Sequence, residues 1–300
     1  MSRQAVPKYH RQRFIVSLLE TAGGFLGRMD FQKLLFLSHQ VLDIQYFDFV
    51  PYHYGCYSFQ AASDLEVLEK NGWIQLKGNT ITLLYSLPVE KSLKSRESNA
   101  LAQFMQKHGK YRNRSLVRYI YERYPYFATR SKMAGDVVDK ETLQRIREVK
   151  DGLRQQDVTL FTIGYEGISF EKYVNSLIQN DVRLLCDVRK NPLSRKFGFS
   201  KRSLSILLPK LGIKYVHIPE LGILSQNRKN LQSVADYERL FFEYTKTLPE
   251  KKQYLLQLYD VLREEKRIVL TCFEQDPSFC HRHCVSDWLE EEKGVEVCHL

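Results

Sequence analysis

Glu166, Asp187, Arg189, His217, Glu274 and the run Cys280-His281-Arg282 are the residues whose types and places in this chain could do chemistry. Each carboxylate, and His217, follows or ends a short apolar run. Glu166 follows Val158–Ile163, Asp187 and Arg189 end Val182–Val188, His217 ends Ile213–Ile218, and Glu274 follows Arg267–Phe273. Cys280, His281 and Arg282 open the next helical stretch. If the runs are parallel strands, all of these residues meet at one sheet edge, and open α/β sheets bind ligands at the carboxyl ends of their strands. Glu166, Asp187 and Glu274 beside Arg189, Arg195 and Arg282 could do acid–base work on an anionic substrate. An arginine fork grips phosphate or carboxylate in bidentate fashion, and a helix N-terminus adds backbone donors. Tyr165, Ser194, Lys196 and His217 complete the expected ligand set. A carboxylate held between arginines stays ionised, whereas one against an apolar wall can keep its proton and donate it.

Duller roles stand beside these. Asp187 and Arg189 could be a structural ion pair at a strand end. Cys186 and Cys272 read as small core hydrophobes. Cys280, beside His281 at a helix start, is either a low-pKa nucleophile or simply packed. His217 could hydrogen-bond inside the core. Cys272, Cys280, His281, His283, Cys284, Cys298 and His299 crowd the C-terminal part as zinc candidates, but no C-x2-C pair is present. Neither a metal nor a cofactor is expected.

The elements that must carry these side chains alternate. After Val158–Ile163 comes a helix with Ser169 as N-cap and Phe170, Tyr173, Val174, Leu177 and Ile178 inward. Ser200–Leu211 reads as a helix, Val234–Leu262 as one or two helices broken at Pro249, Cys280–Glu292 as a helix and Val295–His299 as a last strand. Crossovers of this length predict an α/β domain over 156–300, a Rossmann-like three-layer mostly parallel sheet. Residues 1–88 predict a mainly helical domain: Gln12–Glu20, then Arg28–Leu42 capped by Asp30, an aromatic loop over 46–58, and Ser63–Asn71. A β-hairpin over Trp73–Leu84 closes it in winged-helix-like fashion.

Residues 89–155 read as a basic helical connector. From Lys91 to Lys132 there are eleven Lys+Arg against Glu97 and Glu122. The formal net charge is +10, and residues 1–150 carry 23 Lys+Arg against 14 Asp+Glu, so the positive charge is concentrated there. Lys107, Lys110, Arg112, Arg114 and Arg118, interleaved with tyrosines, either brace two domains or contact nucleic-acid phosphates. The composition, 43% hydrophobic and 27% charged, is that of a globular chain. No apolar run suits a membrane span, the N-terminus lacks a signal-peptide core, and six cysteines are too few for a disulfide framework. A cytoplasmic protein without membrane contact is expected.

Two resemblances follow from particular residues. Thr162-Ile163-Gly164-Tyr165-Glu166-Gly167, Asp187-Val188-Arg189 with Pro192, Ser194-Arg195-Lys196, Phe199-Ser200, Tyr215, Pro219, Leu221-Gly222, Cys272, Glu274 and Cys280-His281-Arg282 together resemble the DUF488 family over about residues 158–299. That likeness implies a fold and a recurring polar cluster but no settled reaction. Gln32-Lys33-Leu34-Leu35-Phe36-Leu37, Phe49 to Ser58, and Asp64 to Ile74 resemble the Panacea (SocA-like, antitoxin-associated) family over about residues 10–85, with Gly55-Cys56 where that family often shows Gly-Pro. This second likeness implies regulatory binding of a protein partner. Together they suggest a nucleotide- or nucleic-acid-phosphate-binding protein that processes its ligand by hydrolysis or group transfer, in a defence or toxin–antitoxin context. The alternative is a non-enzymatic nucleic-acid-binding or nucleotide-sensing regulator.

Overall fold

The computed structural model describes residues 6–88, 92–228 and 231–300, so Lys91 of the basic stretch lies outside the described residues. The chain divides into two compact units, Met1–Gly152 and Leu153–Leu300.

Unit 1 begins with α1 (His10–Thr21), β1 (Phe25–Gly27) and α2 (Arg28–Leu42). Next come a tight hairpin, β2 (Val50–Tyr52) and β3 (Gly55–Tyr57), and α3 (Phe59–Lys70). A second hairpin follows, β4 (Ile74–Lys77) and β5 (Thr80–Leu83). The unit ends in α4 (Ser95–His108), α5 (Asn113–Arg123), α6 (Ala134–Val137) and α7 (Lys140–Gly152). The expected β4–β5 hairpin gains a third antiparallel strand, β1, in the order β1-β5-β4. The aromatic stretch expected as a loop is instead the β2–β3 hairpin. Its turn needs Gly55: φ is +92°, and a Cβ there would lie 2.5 Å from the Tyr121 ring. Asp30 does not cap α2, whose N-cap is Gly27; its carboxylate accepts from Asn113 N at 2.7 Å.

Residues 92–152 are packed into unit 1 rather than standing apart as a connector. Leu101, Phe104 and Met105 of α4 and Leu116, Val117 and Ile120 of α5 recur at helical spacing and are buried in one core with Phe14, Leu34 and Phe36. The basic residues occupy the outward faces of the same helices, which is why the charge run concealed a core-forming pattern.

Unit 2 alternates strand and helix, with two helices between β8 and β9: β6 (Thr159–Gly164), α8 (Phe170–Gln179), β7 (Leu184–Asp187), α9 (Lys201–Lys210), β8 (Lys214–His217), α10 (Val234–Lys246), α11 (Lys252–Glu265), β9 (Arg267–Cys272), α12 (Arg282–Lys293) and β10 (Glu296–His299). Ser169 and Ser200 cap α8 and α9 by accepting from Lys172 N and Ser203 N. All five strands are parallel, in the order β10-β6-β9-β7-β8. Every residue of β6, β7 and β9 is buried, as strands covered on both faces must be. Leu160, Leu184, Cys186, Ile268 and Leu270 share a core with Phe241, Leu255, Leu258 and Val285 of α10–α12. On the alternate register Thr271 accepts from Tyr173 OH of α8 at 2.7 Å. β9, late in sequence, lies centrally between β6 and β7, so the strands that open the unit do not touch each other. No helix among the described residues is long and apolar enough to cross a membrane.

Candidate functional site

The carboxyl edge of this sheet splits the expected residues into a supporting frame and a reactive cluster. Asp187, at the end of β7, is wholly buried and accepts four hydrogen bonds. Oδ1 takes Arg189 Nε at 2.8 Å and Arg189 N at 3.1 Å; Oδ2 takes a terminal Arg189 nitrogen at 2.6 Å and Tyr215 OH at 2.9 Å. The other terminal nitrogen of Arg189 donates to Tyr165 OH and to Phe199 O, both at 2.9 Å. Burial opposes the guanidinium charge, but the bonds and charge of Asp187 outweigh it and raise the Arg189 pKa. A carboxylate so saturated has no lone pair to spare for catalysis, and its arginine is committed to protein groups. The pair is a structural clamp, against the roles of catalytic carboxylate and ligand grip given to it above.

Other expected ligands belong to the same frame. His217 Nε2 bonds Arg189 O at 2.8 Å and its Nδ1 meets Lys201 Nζ at 3.0 Å, which braces the β7 end. Lys196 Nζ donates to Tyr165 O at 2.6 Å, and Ser194 Oγ accepts from Lys196 N in a turn. Arg195 is exposed. Arg282 is wholly buried, donating to Thr162 Oγ1, Glu274 O and Gln275 O; it fixes the loop after β9 instead of gripping an anion. Glu166 is exposed and takes Gln275 N at 3.3 Å, away from the reactive cluster. Gly164 permits this approach, since a Cβ there would sit 1.8 Å from Glu274 O.

The reactive cluster forms around Cys272, the last residue of β9. Its Sγ is 3.4 Å from Glu274 Oε2 and 3.7 Å from His281 Nδ1. Cys280 packs beside it, and one donor atom each from Cys272, Cys280 and His281 lies within 4.8 Å of the others. His281 Nε2 meets Val188 O at 3.1 Å, so that nitrogen carries the proton and Nδ1 is left as an acceptor toward Arg228. Arg228 also donates to Glu274 Oε1 at 2.8 Å, and its Nε is buried without a hydrogen-bond partner among the described residues. Cys280 and His281 precede α12, whose first residue is Arg282, so Cys280 does not stand on the helix as expected.

A hydrogen bond from the Cys280 thiol, with His281 and Arg228 nearby, holds the Cys272 thiol well below the ordinary range in spite of burial. Burial and the hydrogen bond to Cys272 push the Cys280 thiol the other way. Burial, then the Cys272 charge, raises the Glu274 carboxyl, with Arg228 opposing. Cys272, Glu274, His281 and Arg228 line a cavity of about 260 Å³ together with Tyr165, Arg189, Lys190 and Ile223; Cys280 is not part of that lining. Tyr165 forms a wall by stacking on Phe199 at 4.4 Å between ring centroids.

Residues 169–289 match the family model described as a domain of unknown function, DUF488. No curated protein and no solved structure matches the chain. The DUF488 match contains Asp187, Arg189, Arg228, Cys272, Glu274, Cys280 and His281, and it leaves β6 with Tyr165 and Glu166 outside. Its chemistry is therefore read from the geometry alone. Cys272, Cys280 and His281 could hold a soft metal ion; of the remaining zinc candidates, His283 is engaged with Pro277 O and Cys280 O, His299 with Thr162, and Cys298 is exposed. Two members of the cluster were not expected in it as catalytic or ligand-binding residues. Cys272 ends an apolar run and looks like core, and Arg228 lies in a short turn with no motif around it. The C-x-E spacing of Cys272 and Glu274 at a strand end was the one available signal.

The basic helices differ from expectation in detail. Arg112 donates to Gly109 O and Tyr111 O, and Arg118 donates to Val137 O at 2.7 Å, closing the end of α6. Tyr111 and Tyr119 stack on each other, and Arg123 covers the Tyr119 ring at 3.7 Å. Lys107, Lys110 and Arg114 are exposed.

Proposed function

We propose that unit 2 is a thiol-dependent group-transfer or hydrolase domain acting on a phosphate-bearing ligand of the nucleotide or nucleic-acid class. The observation that carries this is Cys272: a buried thiol of lowered pKa, 3.4 Å from a carboxylate of raised pKa, in a cavity that Arg228 also lines. Glu274 takes the Cys272 proton, and the thiolate attacks the electrophilic centre of the ligand. A bond from sulfur to that centre forms as the bond to the leaving oxygen breaks, and Glu274 returns the proton to that oxygen. Water, deprotonated by Glu274, then releases the second product and restores the thiol. Arg228, which lines the cavity, supplies the positive charge for the anion. The cavity suits a reacting group rather than a whole nucleotide, so the rest of the ligand would lie outside it.

Exposed Lys107, Lys110 and Arg114 support polyanion contact by unit 1, and the Panacea likeness of residues 10–85 supports a protein partner there. These surface cations also suit the non-enzymatic alternative, and turnover separates the two. The full chain is incubated with mononucleotides and oligonucleotides, and both products and intact mass are followed. Product formation is expected, with an adduct on Cys272 that accumulates in Glu274→Gln and is absent in Cys272→Ser. Turnover undiminished in Cys272→Ser would overturn the mechanism.

A further inference from the structure

Unit 1 has a cavity of its own, of about 530 Å³, that the thiol chemistry does not use. It lies where the start of α2 meets the β2–β3 hairpin. Its lining includes Arg28 and Lys33 from α2, and Tyr52, Tyr54 and Tyr57 from the hairpin, but no carboxylate. Lys33 is the unusual member. It is 2% exposed, and its ammonium donates to Cys56 O at 3.0 Å. Among the described residues no carboxylate forms an ion pair with it; Asp30, one helical turn away, accepts from Asn113 N and acts on Lys33 only through its charge. Lysine is almost never fully buried without a counter-charge, because removing an ammonium from water is costly. Burial accordingly lowers the Lys33 pKa, with Cys56 and Asp30 only partly offsetting it.

The rest of the cavity suggests what would supply the missing charge. Three phenol rings line it, Tyr54 exposed and Tyr52 with one face already stacked on His53; the remaining faces suit a planar ligand, and the volume falls in the range of small-molecule sites. The hairpin is a fixed wall, because Gly55 is seated against Tyr121 and Tyr121 OH is bonded to Ser131 at 2.7 Å. Gln32 is also fixed, exchanging two hydrogen bonds with the backbone of Ser58. Arg28 adds a second, exposed cation at the rim, with Nε on Gly78 O.

We infer that this cavity binds a planar aromatic anion of about mononucleotide size, its ring against the tyrosines and its negative group on Lys33 and Arg28. The site is independent of the thiol cluster and does not rest on the function proposed for unit 2.

The full chain is titrated calorimetrically with AMP, GMP, CMP and UMP, and with adenosine and inorganic phosphate as the uncharged and ring-free controls. At least one mononucleotide is expected to bind more tightly than either control. Lys33→Met should weaken that binding about tenfold or more, the usual cost of a lost charge-assisted contact. Because Lys33 is buried, the exposed pair Tyr54→Ala and Arg28→Ala provides a second readout, each weakening binding several-fold with melting unchanged. The inference is overturned by no binding of any mononucleotide at millimolar concentration. Adenosine binding as tightly as AMP, or affinity unmoved in both rim variants, would overturn it equally.

Discussion

Asp187→Asn tests whether the β7 end is a clamp or a ligand site. The substitution keeps the shape of the side chain and removes its charge. In the folded chain it places an amide N–H₂ or a neutral oxygen where Arg189 and Tyr215 now donate at 2.6 and 2.9 Å. Arg189 is 6% exposed, so its guanidinium would remain buried without a counter-charge. Breaking a buried pair by removing one partner costs about 3–5 kcal/mol. At roughly 3 °C per kcal/mol for a unit of this size, the melting transition of unit 2 should fall by about 9–15 °C. Scanning calorimetry of the full chain reads this directly. Arg189→Ala should fall comparably, where an arginine that only gripped a ligand would lose function on an intact fold. The double variant Asp187→Leu with Arg189→Met should melt above either charge-breaking single variant, since both charges leave together. Melting of Asp187→Asn within about 2 °C of the parent would refute the clamp.

Three further outcomes are expected. Iodoacetamide should alkylate Cys272 at pH values below the ordinary thiol range, and Cys280→Ala, which removes the donor to that thiolate, should move the reactivity profile upward; equal rates at Cys272 and the exposed Cys298 at each pH would contradict this. His39 of α2, its pKa lowered by burial from 6.5 to about 4, donates to Leu35 O and accepts from Phe47 N. Its stability contribution is complete above pH 6.5 and is lost as pH falls toward 4, about 3 kcal/mol in all, so denaturant titrations of the parent should steepen in this window relative to His39→Gln. Gly164→Ala should destabilise unit 2 by about 3 kcal/mol or more and abolish the unusual thiol reactivity, because the new Cβ displaces the loop that carries Glu274; a parent-like melt would count against that packing.

The strands and helices of unit 2 were legible because buried parallel strands and amphipathic helices leave plain patterns. So was the convergence of Glu274, Cys280 and His281, which follows once the strands run parallel. The division of labour among them was not. Asp187 and Arg189 lie two residues apart and read equally well as clamp or ligand site; only Tyr215, Tyr165 and Phe199 O, brought in from other elements, saturate them. Cys272 looks like core from its own strand and becomes reactive through Cys280, His281 and Arg228. In unit 1 the charge on α4 and α5 drew attention away from Leu101, Phe104, Val117 and Ile120, whose helical spacing marked a shared core.

The central place of β9 has a kinetic consequence. β6 and β7 are made before β9, yet neither has the other as a neighbour, and they wait for a strand that follows them by about a hundred and about eighty residues to be threaded between them. Until it arrives, each offers an open hydrogen-bonding edge on an apolar ribbon, the state in which nascent chains associate with one another. The surroundings that lower the Cys272 pKa are complete only after that insertion, so its thiol stays ordinary until the domain has folded. Refolding from denaturant should therefore be slow and lose yield as protein concentration rises, with the return of Cys272 reactivity marking the final event.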